Sequence, residues 1–266
     1  MEANRLLRVS VLAGCVMLVQ LHTSREQVLS GRHTDALVRR LVFVTDDDAQ
    51  RATDGCDAIS VIDLDTGEAV AYGEQHVSPG RLAATSDGSL VVSVSNNSGL
   101  FVYLLRQLGN APSGWETVRI DDVRLVEGGQ PAITPDDRFL LLPMIPGVEK
   151  YDVTKITPLS LGAPLGRYSV QAAELEIAHD SATAYVVGAD GYVHVVDIDT
   201  MTQVGAPIPY ENGGGPVGFR VRRTFTALSP DGRYLVVNRY NSSQLNIIDL
   251  QARTSHAVSL GAPKET

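Results

Sequence analysis

Hydrophobic and polar positions along this chain form one pattern that recurs. Short runs rich in Val, Ile, Leu and Tyr alternate with polar positions, and Gly, Pro, Asn and Asp interrupt them at intervals of roughly 6–10 residues. Such a pattern predicts short β-strands joined by tight turns. Four segments, beginning at Arg81, Gln130, Glu174 and Phe225, share one layout of such runs, and an incomplete copy begins at Leu41.

The spacing of these copies predicts the fold. The turn after the first run contains Asp87, Asp137, Asp180 or Asp231, and the intervals between these turns average about 48 residues. Repeats of that length that hold several short strands are typical of β-propeller blades. We therefore predict an all-β protein, a β-propeller of four-stranded antiparallel blades. About five blades are recognisable, four of them complete and one partial.

Each copy also predicts the limits of its later strands. The third strands are expected to end at an aspartate, at Asp63, Asp152, Asp197 and Asp249. The fourth strands lie at the blade edge and are expected to be more polar. We predict these edge strands at 69–74, 116–121, 157–162, 202–208 and 256–260. In the partial copy, only 26–30 offers an innermost strand.

The last copy carries a likeness to a known repeat. It reads LSPDGRYLVVNRYNSSQLNIIDL, in which Pro230 presets the first turn position and Gly232 accepts a left-handed conformation. This copy resembles the YVTN-type, WD-like repeat of bacterial β-propellers, which include lactonase-like and quinoprotein-type propellers. The matching positions are Ser229, Pro230, Asp231, Gly232, Asn238 and Asp249. These residues are structural in that family, so the resemblance implies a fold rather than an activity.

The number of copies bears on whether the ring closes. Propellers with this repeat resemble rings of about seven blades, whereas the predicted propeller domain, 41–266, holds about five copies. We expect an open arc or a truncated ring. A five-bladed closed ring and a ring completed by a partner are the alternatives. An open arc leaves apolar blade faces at its ends, which predicts self-association.

The N-terminal segment, 1–40, has the features of an export signal. Arg5 and Arg8 precede an apolar stretch over 9–21, which is shorter than the roughly 20 residues of a membrane-spanning helix. The sequence LAGC, which ends at Cys15, resembles a bacterial lipobox. Acylation of Cys15 is therefore an alternative to cleavage of the signal without lipidation. We expect a periplasmic or secreted protein, with a cytoplasmic location as the alternative.

Composition and motifs exclude several function classes. The chain of 266 residues has 22 Lys and Arg against 31 Asp and Glu, and its net charge of −9 disfavours nucleic acid or an anionic membrane as the main partner. Two cysteines exclude a disulfide framework and a four-thiolate zinc site. The sequence has no nucleophile elbow, phosphate-binding loop, C-x-x-C-H haem site or metal-ligand spacing. We predict no cofactor, no metal and no integral membrane span.

The candidate ligand site is basic. Arg222 and Arg223 lead into the last copy, and Arg239 follows its second strand. In propellers, the loops that enter innermost strands and the loops between second and third strands meet at one face, so these arginines are expected at one channel mouth. Guanidinium groups bind carboxylates in a bidentate manner, which predicts a small anionic ligand. Three unrelated surface arginines are the alternative. We interpret His194, on a predicted strand, as a hydrogen-bonded structural residue.

These observations favour a non-enzymatic protein. We expect a rigid binding or scaffolding propeller in the bacterial cell envelope, with a protein or a small anionic ligand as its partner. The alternative is a lactonase-like hydrolase that acts on a cyclic ester at the channel mouth, with Arg222, Arg223, Glu174 and His76 as candidate residues. A third possibility is a subunit of a quinone or haem redox system whose cofactor belongs to a partner.

Overall fold

A computed structural model gives the architecture. It describes residues 22–24, 39–45, 58–63, 69–74, 81–86, 90–95, 99–104, 116–120, 130–144, 146–157, 160–214, 224–239 and 242–261. These residues form β-strands, turns and one short 3-10 helix, Val153–Lys155. None of them belongs to a helix long and apolar enough to cross a membrane. The chain divides into two compact units, the first comprising Met1–Val123 with Thr157–Ser160 and the second Arg124–Ile156 with Leu161–Thr266.

The first unit contains two antiparallel sheets. Sheet I consists of β1 (His22–Ser24), β2 (Arg39–Thr45), β3 (Ala58–Asp63) and β4 (Ala69–Glu74). Sheet II consists of β5 (Arg81–Ala84), β6 (Leu90–Ser95), β7 (Gly99–Leu104) and β8 (Glu116–Ile120). In both sheets each strand pairs with the next strand along the chain, as expected for a propeller blade.

The second unit contains three antiparallel sheets. Sheet III consists of β9 (Ala132–Ile133), β10 (Phe139–Met144), β11 (Gly147–Asp152) and β12 (Gly166–Tyr168). Sheet IV consists of β13 (Ala172–Ile177), β14 (Thr183–Gly188), β15 (Asp190–Asp197), β16 (Thr202–Gln203) and β17 (Ile208–Gly214). Sheet V consists of β18 (Thr224–Leu228), β19 (Tyr234–Arg239), β20 (Gln244–Asp249) and β21 (Thr254–Ser259). The predicted fold class, all-β with four-stranded antiparallel blades, is confirmed.

Two hydrophobic cores join the three sheets of the second unit. Leu141 and Val148 of sheet III pack with Leu175, Val186 and Val196 of sheet IV. On the other face of sheet IV, the core contains Val187, Val193, Ile208, Leu235, Val237 and Ile248. Sheet IV is therefore buried on both faces, which explains why its strands show nearly continuous apolar runs.

The aspartates predicted to end the third strands occupy those positions. The strands β3, β11, β15 and β20 end at Asp63, Asp152, Asp197 and Asp249. The Asp152 carboxylate accepts a hydrogen bond from the Thr154 backbone N–H (2.9 Å), and the Asp197 carboxylate accepts one from the Thr200 N–H (2.8 Å). Hydrogen bonds from the Thr154 hydroxyl and backbone hold the pKa of Asp152 below its usual range, and Thr200 lowers that of Asp197 in the same way.

The turn between the first and second strands repeats one hydrogen-bond pattern. In sheet V, the Asp231 carboxylate accepts the Arg233 backbone N–H (3.1 Å), and in sheet III the Asp136 carboxylate accepts the Arg138 N–H (3.2 Å). The structural equivalent of Asp231 is therefore Asp136, and the prediction that this turn centres on Asp137 was wrong by one residue. Asp137 takes the left-handed position that Gly232 holds in sheet V, with φ of 59° against 70°.

Replacement of Asp137 by glycine is expected to stabilise the protein. An aspartate in the left-handed region is strained, and glycine removes that strain. The conformational entropy that glycine loses on folding costs less than the strain, so we expect a gain of about 0.5 kcal/mol in the free energy of unfolding. Urea denaturation measures the change. The matched control is Asp136→Gly in the same turn, which removes the acceptor of the Arg138 N–H and is expected to destabilise. Equal effects of the two substitutions would contradict the assignment of the turn.

Two predicted edge strands of the second unit differ from the structure. Of the predicted strand at 157–162, the described residues Thr157 and Ser160 make an isolated bridge, and the fourth strand of sheet III is Gly166–Tyr168. The apolar residues that suggested a strand, Ile156 and Leu161, are buried outside regular structure. The predicted strand at 202–208 is divided between β16 and the start of β17, which both pair with β15.

The partial copy has a described strand on the side of β2 that faces away from β3. This strand is β1, which pairs with β2 and places His22 opposite Leu41. The predicted strand at 26–30 lies outside the described residues, as do the letters that suggested an export signal and Cys15.

Candidate functional site

The structure places only part of the predicted arginine site. Arg222, Arg223 and His76 lie outside the described residues. Arg239 is the last residue of β19 and pairs with Thr224, the first residue of β18. Arg222 and Arg223 directly precede Thr224 in the sequence. Their convergence on a ligand stays a prediction.

Glu174 lies between two sheets. It is on β13 opposite Val187, beside an irregularity in the pairing, and its exposed fraction is 0%. Because cross-strand partners share a face, Glu174 faces the core that sheets IV and V share. On the same face of β13, Glu176 accepts a hydrogen bond from the Thr226 hydroxyl of sheet V (2.9 Å). In this position the Glu174 carboxylate does not face bulk solvent.

A cluster of polar side chains surrounds His194, on the face of sheet IV that packs against sheet III. The Tyr168 hydroxyl of β12 lies 2.9 Å from His194 Nδ1, and Gln203 Oε1 of β16 lies 3.0 Å from the same nitrogen. On the other side of the ring, Asp190 Oδ2 lies 2.9 Å from His194 Nε2. Both ring nitrogens are thus engaged, as predicted for a structural histidine.

The Tyr168 hydroxyl is a hydrogen-bond donor in this cluster. It donates to Gln203 Oε1 at 2.5 Å. Burial, and secondarily the nearby negative charge of Asp190, raise the pKa of Tyr168 above its ordinary value. The hydroxyl therefore stays protonated at neutral pH and remains available as a hydrogen-bond donor.

Glycine at position 188 makes room for this cluster. A Cβ atom there would overlap the Asp190 carboxylate and lie 3.1 Å from His194 Nε2. The Gly188 carbonyl also accepts a hydrogen bond from the Tyr210 hydroxyl of β17 (3.0 Å). Gly188 therefore lets the carboxylate approach the imidazole closely while β17 is held to the end of β14.

Lys150 makes a second polar connection between sheets III and IV. Its amino group donates to the carbonyl oxygens of Ile198 and Asp199, each at 2.7 Å, and lies 4.8 Å from the centre of the Phe139 ring. Lys150 is buried. Desolvation lowers its pKa, although Asp199 and Asp197 act in the opposite direction. The lysine therefore binds the turn that follows β15 to sheet III.

Other polar side chains connect the sheets at their turns. The Ser181 hydroxyl accepts the Asp136 backbone N–H (3.1 Å), which joins equivalent turns of sheets IV and III. Arg253, at a left-handed φ of 56°, donates to the carbonyl oxygens of Val204 (3.1 Å) and Ala206 and joins sheet V to sheet IV. Each sheet interface of the second unit thus has polar connections in addition to its apolar core.

A buried carboxylate lies on the other face of sheet III. Glu149 of β11 accepts hydrogen bonds from the Tyr151 hydroxyl and from Arg167 Nε, the latter at 3.0 Å. Burial and the Glu149 carboxylate raise the pKa of Tyr151. The pair of Glu149 and Arg167 neutralises the buried charge and joins β11 to β12.

Within the described ranges, no group of three or more His, Cys, Asp and Glu side chains is arranged to hold a metal ion. The polar residues that do come together were mostly missed by sequence reasoning. Tyr168 and His194 are 26 residues apart, and Lys150 is 48 residues from Ile198. The repeat length of about 48 residues could have indicated the contact of Lys150 with Ile198, because residues one repeat apart lie in neighbouring sheets.

Comparisons with known proteins give a likeness to a solved structure. No protein-family model and no curated protein matches the sequence. Among solved structures, the chain is similar to the hydrazine synthase of Kuenenia stuttgartiensis, with a TM-score of 0.48 and 20% sequence identity. The match covers 68% of this chain and 49% of the other, so the chain spans about half the length of the protein it matches. At this identity the likeness concerns the fold alone.

Proposed function

We propose that this protein is a non-enzymatic β-propeller protein, a rigid binding or scaffolding domain that presents loops at the ends of its stacked sheets. The observation that carries the proposal is that polar side chains in sheets III, IV and V form structural hydrogen bonds. Lys150, His194, Arg253 and Glu149 all form hydrogen bonds that hold strands, turns or neighbouring sheets together. A framework held in this way suits the presentation of loops at fixed positions.

The proposed ligand is a small anion or an acidic segment of a protein, bound by Arg222, Arg223 and Arg239. The support is the antiparallel pairing of Arg239 with Thr224, the residue that directly follows Arg223 in the sequence. Two or three guanidinium groups at one strand end would form bidentate hydrogen bonds to carboxylates. The chain has a net charge of −9. An anion would therefore be attracted to a local basic site and repelled by the rest of the surface.

Binding of succinate, followed by isothermal titration calorimetry at low salt, tests the proposed site. We expect each of Arg222→Ala, Arg223→Ala and Arg239→Ala to weaken binding about tenfold, because each removes a charge-assisted hydrogen bond. The control is Arg138→Ala, which removes one exposed positive charge at the turn between β9 and β10 and is expected to leave the affinity unchanged. Absence of binding by the wild type, or equal weakening by the control, would refute the site.

Hydrolysis of a panel of lactones tests the non-enzymatic part of the proposal. We expect no turnover above the uncatalysed rate. Turnover by the wild type that Arg222→Ala abolishes would overturn the proposal in favour of the hydrolase.

We also propose a location in the bacterial cell envelope, on the strength of the sequence of 1–40 alone. Cell fractionation of the tagged full-length chain, with mass measurement of its N-terminus, tests it. Recovery of the uncleaved chain in the cytoplasm would refute export, and a Cys15→Ser variant that keeps its membrane association would refute acylation.

A further inference from the structure

The hydrogen-bond geometry around His194 defines which groups carry protons. Gln203 Nε2 donates to the Gly205 carbonyl oxygen at 2.7 Å, so the amide is oriented with Oε1, an acceptor, toward the imidazole. The Asp190 carboxylate is also an acceptor, and its other oxygen receives the Tyr192 backbone N–H (3.2 Å). The ring thus has one acceptor beside each nitrogen, in addition to the Tyr168 hydroxyl.

A neutral imidazole cannot satisfy these contacts together. With its single proton on Nε2 bound to Asp190, the lone pair of Nδ1 faces the lone pairs of Gln203 Oε1 at 3.0 Å. The one proton of Tyr168 then serves either Nδ1 or Gln203, although both lie within hydrogen-bond distance. With a proton on each ring nitrogen, Nε2 donates to Asp190, Nδ1 donates toward Gln203 and Tyr168, and the Tyr168 hydroxyl donates to Gln203.

We propose that His194 is a proton-dependent lock between sheets III and IV, closed when the imidazole carries both protons. Closing adds the hydrogen bonds of Nδ1 and frees the Tyr168 hydroxyl for Gln203, so β12 of sheet III is tied to β15 and β16 of sheet IV. The negative charge of Asp190 compensates the positive charge of the ring, which is 8% exposed. This inference concerns regulation of the framework and does not depend on the proposed ligand.

The titratable and polar groups around His194 come from β11, β12, β15 and β16. From β12 the facing group is Tyr168, and from β15 they are Asp190 and the exposed Tyr192, whose ring centre lies 6.5 Å from that of His194. From β16 the facing group is the neutral Gln203. On β11, the amino group of Lys150 is held by the carbonyl oxygens of Ile198 and Asp199.

The sign of the pH dependence follows from these contacts. The additional hydrogen bonds of the closed lock exist only in the folded protein, so the lock contributes stability at the acidic end of the histidine range. That contribution is lost as the pH rises. The aspartates with lowered pKa values, Asp152, Asp197 and Asp249, are charged throughout this range and do not contribute to the change.

The test compares unfolding at about pH 5.5 and about pH 8 for the full-length wild type, His194→Gln and His256→Gln, by urea denaturation followed by circular dichroism. The control residue His256 is exposed on β21. From the higher to the lower pH we expect the unfolding equilibrium constant of the wild type to fall about tenfold relative to that of His194→Gln, because the closed lock stabilises only the folded protein. His256→Gln is expected to behave as the wild type does.

A spectroscopic measurement separates the lock from a merely structural role. Nitrogen-15 chemical shifts of the His194 ring are expected to show protons on both nitrogens at the acidic end, and on one nitrogen at the alkaline end. If His194→Gln does not fold, Asp190→Asn replaces it and is expected to reduce the same pH dependence. The proposal is overturned if the substituted protein keeps the wild-type pH dependence, or if the ring never carries both protons in this range.

Discussion

Replacement of Leu175 by alanine is expected to lower the free energy of unfolding by about 3 kcal/mol. Leu175 lies on β13 with an exposed fraction of 0%, in the core where Leu141 and Val148 of sheet III meet Val186 of sheet IV. The substitution leaves a cavity between sheets III and IV, and sheet IV is packed on both faces, so the surroundings can relax only in part. The midpoint of urea denaturation is expected to fall accordingly.

The control for this effect is Leu165→Ala. Leu165 precedes β12 and is 55% exposed, so the same chemical change there is expected to alter stability by less than about 0.5 kcal/mol. Similar losses for the two variants would mean that sheets III and IV do not share the core described above.

Replacement of Lys150 by methionine is expected to cost about 2–3 kcal/mol. The thioether keeps most of the apolar stem but leaves the carbonyl oxygens of Ile198 and Asp199 without the donor that now lies 2.7 Å from each. The turn after β15 should loosen from sheet III. Amide hydrogen exchange is expected to accelerate in that turn, and the midpoint of urea denaturation to fall.

Lys155→Met provides the matched control, since Lys155 is exposed in the 3-10 helix that follows β11. We expect it to leave stability and hydrogen exchange nearly unchanged. A stability loss in Lys150→Met no larger than in this control would show that the buried lysine does not join the sheets.

The sequence predicts those parts of the fold that depend on neighbouring residues. The third strands of sheets III, IV and V end at the predicted aspartates because these carboxylates accept hydrogen bonds from the turn that directly follows, as Asp249 does from the Ala252 N–H (2.8 Å). The turn at Gly232 has the predicted left-handed conformation for a similarly local reason. Local hydrogen bonds of this kind require particular residue types at fixed positions, and these can be recognised in the sequence.

The edge strands were harder to predict because their positions depend on pairing and packing with residues distant in the sequence. The apolar residues of 157–162 suggested a strand, but Gly166–Tyr168 pairs with β11 instead. A side chain at Gly166 would lie 2.8 Å from Met201 of sheet IV, so the neighbouring sheet requires glycine at this strand. Sequence alone does not reveal such a requirement.

The cluster around His194 was predicted only in outline. Alternation along β15 placed the histidine on a strand, yet its contacts come from Tyr168 in the preceding sheet and from Gln203 in the following edge strand. Neither residue stands in a recognisable spacing with His194. The predicted arginine cluster depends on Arg222 and Arg223, which lie outside the described residues, and it stays a prediction.

The polar connections between successive sheets have a consequence for biosynthesis. Ser181 lies 45 residues from its partner Asp136, Lys150 lies 48 from Ile198, and Thr226 lies 50 from Glu176. None of these three bonds requires chain beyond the next repeat, so each described interface of the second unit becomes available as soon as its later sheet leaves the ribosome. Folding can therefore proceed vectorially from the N-terminus, and translational pausing about one repeat length apart would let each interface close before the following sheet competes for it.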